Sequence, residues 1–188
     1  MEIKKIVVGP FLTNCYFLIS QKELAILDPG GKAETILEEM KKEIKNKKVK
    51  YIILTHYHTD HTLGAEKLSK KTKAKILISK ADKDFVDFKV DKILTEGEEI
   101  EIGKEKLKVI ETPGHSPGSI CLLGKNFVFT GDTIFEDGFG RTDLPGGSSK
   151  DLKKSLKKLS EILPKDIKVY PGHGEEFILG KRLQKFKK

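Results

Sequence analysis

The chain of 188 residues has no tryptophan, only two methionines and only two cysteines. Cys15 and Cys121 are isolated and no Cys-x-x-Cys occurs, which excludes a disulfide framework and points to a reducing, cytoplasmic setting. No apolar run reaches the roughly 18 residues a membrane helix needs, so no membrane partner is expected. The opening Met1-Glu2-Ile3-Lys4-Lys5-Ile6-Val7-Val8 is too short in apolar residues for a signal peptide and reads as a first strand. The formal charge of +8 comes from lysine pairs such as Lys41-Lys42, Lys70-Lys71 and Lys157-Lys158, mostly with acids close by. They lack aromatic interleaving and any nucleic-acid motif, so they read as a solvated face and no nucleic-acid partner is expected. The length suits one domain, residues 1–188, with a core that needs no staples.

What is present is a series of short apolar runs stopped by polar turns. Ile3 to Val8, Cys15 to Ile19 and Leu24 to Leu27 read as strands, with a hairpin at Ser20-Gln21-Lys22. Ala33 to Lys45 reads as a helix, because Ile36, Leu37, Met40 and Ile44 share one face, and Val49 to Leu54 reads as a buried strand. A helix is expected from about Thr62 to Lys71, then a strand over Ala74 to Ile78 and a charged surface piece over Lys80 to Phe88. In that piece Phe85 and Phe88 are read either as core or as a lip over the site. Ile93 to Ile102 and Lys106 to Ile110 read as strands, and Ser119 to Leu123 with Asn126 to Phe129 as a hairpin. A helix capped by Ser148 and Asp151 carries Leu152, Leu156, Leu159 and Leu163 inward and stops at Pro164. Ile167 to Tyr170 is the last expected strand, and Lys181 to Lys188 a basic tail.

The chemistry sits at the strand ends. Thr55-His56-Tyr57-His58-Thr59-Asp60-His61 packs three histidines and an aspartate directly behind an apolar strand. His115 lies in Pro113-Gly114-His115-Ser116-Pro117-Gly118, and His173 in Pro171-Gly172-His173-Gly174. All five histidines therefore fall in expected loops after strands, and Asp132 shares that context. Asp28 ends another strand and is read either as turn chemistry or as a partner of a metal ligand. Imidazole and carboxylate are the usual ligands of zinc and similar divalent ions, and seven such groups are too many for one tetrahedral ion. Two ions fit better: His56, His58 and His115 on the first, Asp60, His61 and His173 on the second, Asp132 bridging. Two such ions, about 3.5–4 Å apart, acidify a shared water and polarise a carbonyl, so the expected reaction class is metal-assisted hydrolysis.

Thr55 to His61 matches the T-H-x-H-x-D-H motif of the metallo-β-lactamase-fold superfamily, and His115, Asp132 and His173 match its later ligand positions in order. The resemblance covers essentially the whole chain. It implies an α/β fold, an αββα sandwich of two mixed sheets face to face with helices outside and a dinuclear site at one edge. Within that superfamily the chain looks most like short, single-domain glyoxalase II-like proteins, on the absence of a cysteine ligand and on Gly140-Arg141-Thr142-Asp143-Leu144-Pro145-Gly146-Gly147. The resemblance implies a hydroxyacylglutathione hydrolase-like thioesterase with two divalent ions, zinc first and iron or manganese as alternatives. Asp60, His61 and Asp132 would carry chemistry as well as metal. The substrate would be a small anionic thioester such as S-lactoylglutathione, with Arg141, Lys181 and Arg182 as candidates to bind it. The expected assembly is a monomer or small homo-oligomer. A second reading is a persulfide dioxygenase of the same fold, with one iron on His56, His115 and Asp132. A third is a non-catalytic binding module.

Overall fold

The protein is described by a computed structural model over residues 1–44 and 47–186. The first sheet contains β1 (Glu2–Val8), β2 (Thr13–Ser20), β3 (Glu23–Leu27), β4 (Lys48–Ile53), β5 (Lys75–Ser79) and β6 (Lys92–Leu94), in that spatial order. The second contains β7 (Glu99–Ile102), β8 (Glu105–Glu111), β9 (Ile120–Leu123), β10 (Phe127–Gly131), β11 (Lys168–Pro171) and β12 (Phe177–Ile178), with β7 at one edge and β12 at the other. Both are mixed: β1–β2–β3 and β7–β8–β9–β10 are antiparallel, while β3–β4–β5–β6 and β10–β11 are parallel. Helices α1 (Ala33–Glu43), α2 (Thr59–Thr62) and α3 (Ala65–Thr72) follow strands of the first sheet, and α4 (Ser149–Ile162) covers the second.

Strand alternation builds three apolar layers from single runs. In β2, Cys15, Phe17 and Ile19 face α1 and α3, while Tyr16 and Leu18 face the second sheet. Between the sheets, Leu27, Ile53 and Leu77 meet Leu107, Val109, Leu122 and Phe129. Outside the second sheet, Ile110, Cys121, Val128 and Val169 meet Leu152, Leu156 and Leu159 of α4. Each fully buried side chain of this size contributes about 1.5–3 kcal/mol. The outcome is the αββα sandwich. The α4 cap is as expected, with Ser148 Oγ accepting from the Asp151 amide at 3.2 Å.

Four local expectations need correction. The strand expected over Ile93 to Ile102 is two strands, β6 and β7, on different sheets; the turn at Thr95–Glu98, with Gly97 at φ +78°, carries the chain across. The helix expected near Thr62 begins at Thr59 and is interrupted at Leu63–Gly64, because Gly64 packs against the Gly31 and Pro29 carbonyls, where a Cβ would come within 2.6 and 2.9 Å. His61 therefore lies in a helical turn rather than a loop. Residues Lys80 to Phe88 contain only one 3₁₀ turn, Lys83–Phe85. The strand β12 was not anticipated; two residues are too few to show alternation. Helix α1 ends at Glu43, and its expected last residue, Lys45, lies outside the described residues, as do Lys187 and Lys188 of the expected tail.

Candidate metal centre

The seven candidate ligands come from five chain segments and converge at one edge of the sandwich. His56 and His58 follow β4, Asp60 and His61 sit in α2, His115 follows β8, Asp132 follows β10 and His173 follows β11. Three groups have ligand atoms within 4.8 Å of one another: His56, His58 and His115; Asp60, His61 and His173; and His56, His61 and Asp132. The first two are the triads that ligand counting proposes. Asp132 stands between them, with Oδ1 3.4 Å from His61 Nε2 and Oδ2 3.5 Å from His115 Nε2 and 3.4 Å from His173 Nε2. It is 9% exposed.

The orientation of the rings is set by contacts on their far sides. His56 Nδ1 lies 3.0 Å from Thr55 Oγ1, and His61 Nδ1 lies 3.1 Å from Asp28 Oδ2. His115 Nδ1 donates to the Arg141 carbonyl at 2.8 Å, and His173 Nδ1 to the Phe11 carbonyl at 3.0 Å. The hydrogen bonds at His56, His115 and His173 fix a tautomer and leave Nε2 for the centre, while His61 is held by the charge of Asp28. Asp28 also accepts from the Thr55 amide and hydroxyl, at 2.8 and 2.7 Å, so it serves the ligand loop as well as its own turn.

Inside the centre, donors face donors. His58 Nδ1 and His115 Nε2 are 2.9 Å apart, and His61 Nε2 and His173 Nε2 are 3.2 Å apart. The Nε2 atoms of His56 and His58 and Oδ1 of Asp132 are buried without hydrogen-bond partners. Orphaned buried acceptors are costly unless a cation lies among them, so this set of nitrogen and oxygen atoms fits divalent metal ions. Glycine allows the crowding: a Cβ on Gly172 would stand 2.1 Å from Asp132 Oδ1 and 2.8 Å from His61 Cε1.

The two triads differ in charge. Burial, reinforced by His61, holds His56 well below the usual imidazole range. Burial and neighbouring His115 bring His58 down to about 4. For His173 burial is outweighed by Asp132 and Asp60, and the ring rises to about 9. Burial also opposes the charge on His61, yet Asp132 and Asp28 raise it. Asp132 is held low because the charge of His61 outweighs its burial.

A cavity of about 560 Å³ opens beside the centre, with His115, Asp132, His173, Phe135, Phe139 and Arg141 among its lining, and Glu136, Asp137 and Glu175 on its walls. Lys181 and Arg182 line a neighbouring cavity of about 280 Å³ that shares Phe135, Glu136, Asp137 and Phe139. Two of the three cations proposed for substrate are already engaged. Arg141 makes two 2.7 Å bonds to Asp143, and Arg182 donates to the Glu136 carbonyl at 2.7 Å. Lys181 has no ion pair among the described residues. Phe85 is half exposed and stacked on Tyr57 at 4.5 Å, outside the lining of the cavity at the centre, whereas Phe88 packs against the core beneath α1 and α3.

Several supporting residues have no sequence motif. Thr13 Oγ1 lies 3.4 Å from Asp60 Oδ2. Asn14 donates to the carbonyls of Pro171 and Gly174, and Tyr16 OH to that of Pro171, so β2 of the first sheet holds the His173 loop of the second. Asp82 is fully buried in a segment that reads as surface. Their only signal is position, near the ends of strands or just past them.

Fold and site together define a metallo-hydrolase. The family model of the metallo-beta-lactamase superfamily matches residues 8–173, and the chain belongs to that family. Hydroxyacylglutathione hydrolase GloC of Haemophilus influenzae is 32% identical over 96% of this chain and 94% of its own length. The BLEG-1 B3 metallo-beta-lactamase superposes with a TM-score of 0.89 at 29% identity, covering 97% of each chain. TTHA1623, solved in a di-iron-bound form, superposes with a TM-score of 0.84 at 28% identity, covering 94% of each chain. No helix among the described residues is long and apolar enough to cross a membrane.

Proposed function

We propose that this protein is a dinuclear metal-dependent thioesterase, with S-lactoylglutathione or a related acyl-thioester as substrate. The observation that carries the reading is the pair of complete triads with Asp132 between them. A mononuclear dioxygenase site would need only His56, His115 and Asp132, and would leave the convergence of Asp60, His61 and His173 without a purpose. The 32% identity to a hydroxyacylglutathione hydrolase supports the thioester. Zinc is the first expectation for the metal; the di-iron form of TTHA1623 keeps iron in view.

Bound there, two divalent ions would supply an acidified water and an electrophile for the thioester carbonyl. His56, His58 and His115 would hold one ion, Asp60, His61 and His173 the other, and Asp132 would join them. The Phe11 and Arg141 carbonyls keep Nδ1 of His173 and His115 protonated, so both rings present a lone pair inward. Phe135 and Phe139 give the acyl or thiol arm an apolar wall, and Lys181 in the next cavity is the cation left for a substrate carboxylate.

Metal analysis of the purified protein, combined with S-lactoylglutathione turnover, tests the reading. Two ions per chain and turnover are expected. Two ions without turnover would remove this substrate but keep hydrolysis of another. One iron per chain, with oxygen uptake on glutathione persulfide, would replace the hydrolase by the dioxygenase.

A further inference from the structure

We propose that Asp82 is a positioning residue that sets the metal affinity of the first triad and not of the second. Asp82 follows β5 and touches none of the candidate ligands. Its side chain is fully buried and accepts three hydrogen bonds: Oδ2 from the Tyr57 amide at 2.9 Å and from Ser116 Oγ at 2.7 Å, and Oδ1 from the Gly118 amide at 2.6 Å. Tyr57 lies between His56 and His58, and Ser116 follows His115. One carboxylate therefore ties the ligand loop of the first sheet to the ligand loop of the second. A carboxylate is the one small side chain able to accept on both oxygens at once.

The loop meets Asp82 this closely only because residue 118 is glycine: a Cβ there would come within 2.0 Å of Ser79 Oγ and 2.7 Å of Asp82 Oδ1. Ser116 is held a second time, its amide donating to Ser119 Oγ at 3.0 Å. The second triad draws on other anchors: Thr13 for Asp60, Asp28 for His61 and the Phe11 carbonyl for His173. Asp82 thus fixes the separation of His56 and His58 from His115.

The inference rests on the dinuclear reading, so the test isolates each site. His173→Ala leaves the first triad intact and His58→Ala leaves the second. Zinc affinity is measured in both backgrounds by competition with a chromophoric chelator. Asp82→Ala is expected to weaken zinc binding about 10–100-fold in the His173→Ala chain, the usual cost of losing an outer partner. In the His58→Ala chain the change is expected to stay below about threefold, because Thr13, Asp28 and the Phe11 carbonyl, which hold the second triad, make no hydrogen bond to Asp82. Asp82→Asn keeps one acceptor oxygen and should give an intermediate loss at the first site alone. Equal losses in the two backgrounds, or none in either, would overturn the proposal. Should Asp82→Ala not fold, Asp82→Asn and Ser116→Ala decide the matter by the same comparison, with smaller losses confined to the first site. Two zinc ions without thioester turnover in the unsubstituted protein would sink the proposed reaction and leave Asp82 standing. Unchanged zinc affinity with turnover intact would sink Asp82 alone.

Discussion

The first triad is three imidazoles, two of them buried; the second is two imidazoles and a carboxylate, with only His61 buried and Asp60 and His173 partly exposed. Burial lowers the proton affinity of His56 and His58, so these two members of the first triad offer bare lone pairs at neutral pH. Carboxylates load His61 and His173 with protons, so the second triad must exchange them for a metal. Two sites a few ångströms apart, built from one loop and its partners, are thus set up for different metal chemistry. Local dielectric and the placement of one carboxylate outweigh ligand type in deciding how each behaves.

The largest test of that contrast removes the shared residue. Asp132→Ala is expected to cost both sites their metal and to lower kcat/KM by about 100- to 1,000-fold or more, the scale of losing one key charge-stabilising group. Asp60→Ala should deplete the second site alone, and metal counting on the two variants shows whether they differ; equal depletion would erase the contrast. Next in size is pH. With His173 at about 9, metal entering the second triad at neutral pH must displace its proton, and affinity should fall about tenfold for each unit of acidification below that value. With His58 at about 4 and His56 held low by burial, these two ligands should add no such slope near neutrality. Calorimetry in buffers of different protonation enthalpy reads the proton released; release from the first site instead would reverse the assignment.

Smaller effects sharpen the same picture. Thr13→Val removes the hydroxyl facing Asp60 and should weaken only the second metal, by about tenfold at most, in a metal titration. Arg141→Ala should change KM by less than about threefold, because its guanidinium is exposed and occupied by Asp143, and such surface pairs are worth little. A tenfold rise in KM would instead make Arg141 a substrate ligand that leaves Asp143 when the cavity fills.

The convergence of the candidate ligands was legible because strand-end histidines leave a dense, short-range pattern: Thr55 to His61, His115 and His173 all carry it. The short apolar runs and two helical stripes showed the order of strands and helices, and the sandwich itself followed from the resemblance carried by Thr55 to His61 with His115, Asp132 and His173. Other features depend on contacts between distant segments. Nothing local in Ile93 to Ile102 says that its two ends belong to different sheets. Nothing in Lys80 to Phe88 says that Asp82 is buried, since its three partners lie 25 to 36 residues away. Asp28 could be read two ways because its turn is local and its bonds to Thr55 and His61 are not. The cations Arg141 and Arg182 look available in sequence and are not: Asp143, only two residues on, takes the first, and the Glu136 carbonyl, 46 residues away, takes the second.

The chain passes between the two sheets once, at Thr95–Glu98, and everything before that turn belongs to the first sheet, everything after it to the second. Each triad takes two members from before the turn and one from after it. The protein is therefore a pair of half-molecules joined by a single turn, and an ion held by either triad would be a rivet through both. Cut at that turn, the two fragments would have a metal-dependent reason to find each other, and a chelator would act on their association as much as on their chemistry.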